Sequence, residues 1–306
     1  MPPLWLIDQY VALQRAGRVI ANSVRGMDLP AGTDSINIPK VATGTTTAVQ
    51  TADAGSVSST DLTDTSISAP VRTLAGQQDI ALQLLDQSPI SFDEVVFADL
   101  HADYNSKLDQ QVIFGSGSSG QATGIFNVSS VVSITYTTGG TPTLQEAYPS
   151  FAKALSQMTT ARFLPPTAWF MHPRRWYWAL SQLDGSGGTA GRPMIVAYQA
   201  QEFNPAALQT GVDAEGPVGN LMGLPVLLDP NIQTTVSSNQ DPVYALRTPD
   251  LYLWEGTMRS RTLTEVLSGT LQVRLQIYNY FAFLGSRYPS SIGIITGTGL
   301  AAPSGF

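Results

Sequence analysis

The sequence predicts an α+β fold built from a hairpin arm, a long helix, a small α/β region and one long strand. Three observations carry this. From Ser35 to Leu74 the chain is strand-like at both ends (Ile36, Ile38; Ile67, Ala69, Val71), with Thr, Ser, Ala, Gly and Asp between them. From Ser91 to Phe114 apolar residues recur at helical spacing. From Leu271 to Phe283 apolar and polar residues largely alternate, as in a two-faced strand.

Composition sets the outer bounds. The 306 residues suffice for one large domain or two ordinary ones, and 43% are apolar. Only 13% are charged, about half of what a typical soluble domain carries. A surface so poor in charge solubilises an isolated monomer badly, which points to contact with other protein copies. Net charge is −7, with three lysines (Lys40, Lys107, Lys153), so the chain is not built to grip phosphate backbones. Cysteine is absent, which removes disulfides and thiolate metal sites. No apolar run approaches a membrane span, and MPPLWLIDQY lacks the basic-then-apolar pattern of a signal peptide. No membrane partner is expected.

The elements follow in order. Leu4 to Val24 reads as a short amphipathic stretch ending in a turn region, Gly26 to Gly32. Ser35 to Leu74 reads as a long two-stranded hairpin with few large side chains. Such a hairpin is marginal in water by itself. Two readings stand: a disordered linker, or an arm that orders on a neighbouring subunit. Next, Ser91 and Glu94 form a capping box, and Phe92, Val96, Leu100, Tyr104, Leu108 and Val112 share one helix face. At 1.5 Å per residue this helix is roughly 35 Å long.

The glycines that follow, GSGSSG (Gly115 to Gly120), fit the spacing of a dinucleotide-binding loop. The order here is helix, glycines, strand-like residues, the reverse of that fingerprint. Gly115 and Gly117 are therefore expected to stop the helix where a positive φ is wanted. Downstream, Leu144, Tyr148, Phe151, Leu155 and Met158 form a helical stripe, with Pro149 a candidate first turn. TAWFMHPRRWYWALSQL gives a buried strand, Ala168 to Met171, then a helix opened by Pro173. LDGSGGTAGRP reads as a loop and NLMGLPVLLDPNI as an apolar strand with a Gly-Leu-Pro kink. Leu271, Val273, Leu275, Ile277, Phe281 and Phe283 hold one face of the long strand, and IGIIT adds a last one.

No catalytic set emerges. The two histidines, His101 and His172, lack metal-ligand spacing and read as ordinary hydrogen-bonded side chains. No Walker A loop and no G-x-S-x-G elbow occurs. Asp93, Glu94, Asp99 and Asp103 spread over the polar face of the long helix near its N-terminus. Asp61 and Asp64 follow no EF-hand pattern. Arg174 and Arg175 beside Trp176 and Trp178 read as a solvated helix face over an aromatic core. Neither enzyme activity, cofactor nor metal is expected.

The order of these elements, with FGSGSSGQATGI after the helix, then His172-Pro173-Arg174-Arg175-Trp176, Met222-Gly223-Leu224-Pro225-Val226 and Tyr288-Pro289, resembles the major capsid protein of tailed bacteriophages. The resemblance spans nearly the whole chain and implies a Hong Kong 97-like capsid fold. It implies an N-terminal arm (1–34), an extended loop (35–74), a peripheral domain (75–127 and 251–285, spine helix 91–114) and an axial domain (128–250 and 286–306). Copies would form pentamers and hexamers that close an icosahedral shell around double-stranded DNA, located in the virion and assembled in the host cytoplasm. Partners would be a scaffolding protein and a portal, with a cement or decoration protein as an option. The expected interface residues are Thr46, Val49, Asp53, Val57 and Asp61 on the arm, Arg72 at its base, and Arg259, Arg261 and Glu265 beside the turn Leu267-Ser268-Gly269-Thr270.

One departure matters. The founding member of that fold welds its subunits with a lysine–asparagine bond promoted by a glutamate. Here Gln50 to Asp61 holds no lysine, no Asp or Glu follows Glu265, and the stretch before Tyr288 offers Asn279 instead. A noncovalent shell is expected. The chain opens at Met1 without a coiled-coil leader. If that methionine is native, scaffolding is expected from a separate protein; if it marks a trimmed start, from a cleaved leader. An encapsulin-like compartment shell shares the fold and is the nearest rival. A nucleotide-binding enzyme and a β-rich tail or decoration protein are the others.

Overall fold

The computed structural model describes residues 13–87, 92–138, 140–182, 217–303 and 305. A short helix, α1 (Val19–Ser23), precedes β1 (Arg25–Asp28). β2 (Ser35–Thr43) and β3 (Thr63–Pro70) pair antiparallel as the stem of the hairpin. β4 (Arg72–Ala81), α2 (Leu82–Gln87) and the long helix α3 (Phe92–Phe114) follow. Then come β5 (Val132–Thr135), α4 (Leu144–Arg162), β6 (Ala168–Met171), α5 (Pro173–Ser181), β7 (Gly219–Leu221) and β8 (Leu224–Leu228). The chain closes with β9 (Val243–Leu246), β10 (Tyr252–Glu255), β11 (Arg259–Leu263), β12 (Gln272–Leu284) and β13 (Ile292–Thr296).

β12 organises the first sheet. Its N-terminal ten residues pair with β4 from Gln272↔Ala81 to Phe281↔Arg72. Its other edge takes β11 (Leu263↔Arg274 to Arg259↔Tyr278), then β10, which pairs parallel with β1. The alternation of β12 puts Val273, Leu275 and Ile277 inside, with Gln272, Arg274, Gln276 and Tyr278 half-exposed. Near its C-terminal end Phe281 and Phe283 pack on the α3 side, while Ala282 and Leu284 face the hairpin stem with Tyr252 and Trp254. The second sheet has the order β5-β13-β9-β6-β8-β7. α4 and α5 bury Phe151, Met158, Trp176 and Trp178 with Trp169, Val226 and Val243 of that sheet. Leu108, Val112 and Ile113 of α3 share one cluster with residues of both sheets, Leu253 and Phe283 of the first, Phe170 and Ile294 of the second.

Several sequence expectations change in detail. Leu271 is 70% exposed in a left-handed turn just before β12, so the strand's apolar face begins at Val273. α4 starts at Leu144, ahead of Pro149, because Thr143 Oγ accepts the Glu146 N–H at 3.3 Å. Its buried stripe is accordingly Leu144, Ala147, Phe151, Ala154 and Met158, with Tyr148 exposed. Met222-Gly223 is a two-residue turn with both φ positive between β7 and β8, a hairpin in place of one kinked strand. Asp28 lies within β1 and only Gly32 of the expected turn has positive φ. The strand expected soon after the glycines is confined to β5. Ser91 of the expected capping box and the whole of LDGSGGTAGRP (183–193) lie outside the described residues.

The glycine run does end α3, by close packing more than by a left-handed cap. The Gly124 N–H donates to the Gly115 carbonyl at 2.8 Å, and Ser116 bridges to Thr123. A Cβ on Gly115 would lie 2.2 Å from the Ala122 carbonyl oxygen, and one on Gly124 would lie 2.4 Å from Gly115 N. Only Gly117 and Gly120 among these glycines have positive φ. A helix runs into this loop where a phosphate loop needs a strand, and only a single 3-10 turn, Ile125–Asn127, leaves it, so it lacks phosphate-loop geometry.

Candidate assembly interface

The stem of the hairpin has a core of its own and the tip has none. Ile36, Ile38, Ile67, Ala69 and Val71 pack on Tyr252, Trp254, Ala282 and Leu284. Beyond a register shift between Val41 and Thr43 the ladder ends at Thr43↔Thr63. Past that point side chains hold the two halves together. Thr46 Oγ1 lies 2.6 Å from Thr60 Oγ1 and 3.2 Å from Ser58 Oγ. At the turn, the Gln50 amide donates to the Gly55 carbonyl at 2.8 Å.

The tip sets two exposed valines among small and polar residues. Val49 is 90% exposed and Val57 79% exposed, with Val41 and Leu62 also in solvent. Asp53 and Asp61 are exposed beside them. Arg72 is different: it opens β4 opposite Phe281 and is half-buried, with Nε lacking a partner among the described residues.

Arg259, Arg261 and Glu265 are exposed at the opposite edge of the first sheet. Among the described residues β11 pairs with β12 alone, which leaves its outer edge open, and charges on such an edge oppose indiscriminate strand pairing. The Arg261 guanidinium stacks over Tyr278 at 4.9 Å. Asp53, Asp61, Arg259, Arg261 and Glu265 make no ion pair within the chain among the described residues. The nine expected residues thus fall on the arm tip, the arm base and an open sheet edge.

Pairings that the sequence did not show fasten the scaffold, and of their members Arg15, Arg18, Glu255 and Asp241 were not singled out by it. Arg15 pairs with Asp99 at 2.8 Å and Asp103 at 2.7 Å along α3, and Arg18 pairs with Glu255. The Arg15 contact, led by its hydrogen bond, holds the Asp99 carboxyl below its usual range. Arg174 and Arg175 converge on the buried Asp241, each at 2.7 Å, and Arg175 also donates to the Leu300 and Ala301 carbonyls. Arg175 is 2% exposed, so this pair is a buried ionic staple, not a solvated face. Charge-assisted bonds from one shared carboxylate replace its hydration. Asn279 is buried and donates to the Tyr104 hydroxyl at 2.9 Å. Burial, then the Glu255 charge, pushes that phenol up to about 12. His172 caps α5 by accepting the Arg174 N–H, and its burial lowers its pKa. The signals for these pairings were separated by tens to hundreds of positions. The described residues contain no cluster of His, Asp and Glu suited to a metal ion and no helix long and apolar enough to cross a membrane.

The hairpin thus roots its stem on the first sheet and exposes Val49 and Val57 near its tip. Residues 2–283 match the phage capsid family. This chain belongs to that family. It is a structural capsid protein of the bacteriophage type, whose place is the virion capsid. The phage capsid subunit is similar in structure to the capsid of a native GTA particle computed with C5 symmetry, with TM-score 0.72 and 14% identity over 97% of this chain and 95% of that one. It is similar to a chain from Mycobacterium phage Che8, with TM-score 0.66 and 16% identity over 98% of both. A chain from Mycobacterium phage Adephagia gives TM-score 0.67 and 13% identity over 94% of this subunit and 92% of that chain. No curated protein matches the capsid subunit by sequence.

Proposed function

We propose that this subunit assembles as pentamers and hexamers into a noncovalent icosahedral shell around double-stranded DNA. The observation that carries the reading is the hairpin tip, which exposes Val49 and Val57 and has no core among the described residues. A second copy is the natural cover, because every copy in a shell lies beside another. Thr46, Val49, Asp53, Val57 and Asp61 contact that neighbour. Arg259, Arg261 and Glu265 on the open β11 edge offer complementary charge, and Arg72 fixes the arm's root. The two-sheet architecture supports a division into arm (1–34), extended loop (35–74), peripheral domain (75–127 and 251–285) and axial domain (128–250 and 286–306).

The absence of cross-links has two supports. Lys40 lies on the stem, not the tip, and Asn279 is buried with its amide donated to Tyr104. The net charge of −7 suits a wall that does not trap the packed DNA. Scaffolding protein, portal and an optional decoration protein complete assembly in the host cytoplasm.

Negative-stain electron microscopy of the subunit, expressed alone and with a scaffold, tests this reading. Closed shells or rings of five and six support it, and monomers in both preparations overturn it. DNA content separates a phage shell from an enzyme-filled compartment. Boiled particles are expected to run as monomers on a denaturing gel, and covalent ladders would refute the noncovalent shell.

A further inference from the structure

Two carboxyl groups meet in the interior where the N-terminal segment crosses α3. Asp109 of α3 and Asp229, just after β8, are both fully buried. Asp109 Oδ1 accepts the Ala21 N–H at 2.7 Å and Oδ2 accepts the Asn231 side-chain amide at 3.0 Å. Asp229 Oδ2 accepts the Ile20 N–H at 3.3 Å and Oδ1 accepts the Asn231 N–H at 2.9 Å. Asn231 also donates to the Gly17 carbonyl at 2.7 Å and accepts from Ser106 at 2.8 Å. The two acids thus hold the first turn of α1 against α3 and against the loop that follows β8.

Asn231 bridges the two buried acids, its backbone N–H donating to Asp229 and its side-chain amide to Asp109. Two carboxyls buried side by side with no cation between them favour a state in which one keeps its proton. No Lys, Arg or His is bonded to either acid among the described residues. The titratable groups that face Asp229 are Asp109 from α3 and the fully buried Tyr244 hydroxyl from β9. α1 contributes backbone N–H groups only, and Arg18 beside it is engaged by Glu255. Among the described residues nothing in the cluster compensates a second negative charge.

We propose that Asp109 and Asp229 form a proton-sharing latch that fastens the N-terminal segment to the long helix and loosens when both carboxyls ionise. Burial first, and then the neighbouring Asp109 carboxyl, push Asp229 up to about 9. Its docked value lies above the roughly 3.9 of a free aspartate. The latch is therefore at full strength below that free value, weakens as pH rises, and is lost as pH passes about 9. Loosening frees α1 and the chain leading to it, while the body of the subunit keeps its two sheets.

Trypsin cleavage after Arg15 and Arg18 of the purified full-length chain reads the latch, normalised to an unfolded peptide carrying the same sites. Cleavage of a transiently opened segment tracks the open population when reclosing is fast. The open population rises by at most about tenfold per pH unit between the two values. We expect a rise of at least about tenfold from about pH 6 to about pH 9, and a flat profile for Asp229→Asn, whose amide donates to Asp109 without titrating. A flat profile for the unsubstituted chain, or an equal rise in Asp229→Asn, overturns the latch. If that variant does not fold, infrared spectra of the unsubstituted chain decide. A protonated-carboxyl band present at neutral pH and lost across about pH 9 supports the proposal; its absence at neutral pH refutes it.

Discussion

Replacing Val49 and Val57 together by Ser isolates the arm tip's part in assembly. The two side chains are 90% and 79% exposed in the single subunit, so their removal leaves its interior untouched. Substitutions at such positions change stability by about 0.5 kcal/mol or less. If each valine is buried on a neighbour, it contributes about 1.5 kcal/mol, the low end for a fully buried aliphatic side chain. Together they supply about 3 kcal/mol per arm, or roughly a hundredfold in the contact's equilibrium constant at about 1.4 kcal/mol per tenfold. Light scattering against subunit concentration, with scaffold if assembly requires it, gives the concentration for half-assembly. It should rise by about that factor per arm contact, while the melting temperature of unassembled subunit stays fixed. Unchanged assembly, or a lowered melting temperature with assembly following it, would refute the claim that the tip's cover is another copy.

Other outcomes follow from the scaffold. Asp241→Ala strands Arg174 and Arg175 without their carboxylate and should cost about 3–5 kcal/mol; a loss under about 1 kcal/mol in denaturant melts would restore the solvated-face reading. Gly124→Ala places a Cβ within 2.8 Å of backbone atoms of Gly115 and Ile113, so thermal unfolding should show at least about 1–3 kcal/mol of strain. Tyr104→Phe leaves the buried Asn279 amide without its acceptor and should destabilise by about 1–3 kcal/mol in the same assay. Asp99 has its carboxyl lowered by Arg15, so its clamp is present above the free aspartate value of about 3.9 and is lost as pH falls below it. Hydrogen exchange at residues 13–18 should show that clamp opening in acid, while Asp109 and Asp229 still hold residues 20–21.

What was legible in the sequence was what neighbours in the chain decide. Pro173 with the apolar run before it placed β6 and α5, and the spacing from Val96 to Val112 placed α3. The start of α4 was also written locally, in Thr143 and Glu146, but Pro149 is the louder signal. Pro149 is the sixth residue of α4, past the four N–H groups that have no partner, so the helix forgoes one backbone bond there. Arg174 and Arg175 misled because Asp241 lies over sixty positions away. Leu271 continued the alternation of β12, yet its backbone turns left-handed there. β4 carries little alternation of its own, and its partner is fixed only by register with β12. At the candidate interface, the exposure of Val49 and Val57 followed from the lack of large side chains in the middle of the hairpin, while its stem, which the alternation marked, packs on the first sheet. Arg72 is half-buried at the root of the arm, where it opens β4 opposite Phe281.

The pairing of β4 with β12 joins residues about 200 positions apart, and β13 likewise closes on β5 from far down the chain. Both sheets therefore wait for the C-terminal part of the polypeptide. During synthesis at about 5–20 residues per second, the arm and the long helix leave the ribosome seconds to tens of seconds before their platform exists. Closing such distant contacts is also slow in its own right. Tyr252, Trp254, Ala282 and Leu284, the bed on which the hairpin stem lies, are among the late arrivals. Translation thus acts as a clock: nascent chains crowded on one message cannot present a rooted arm to each other, and the subunit becomes competent only when it is finished.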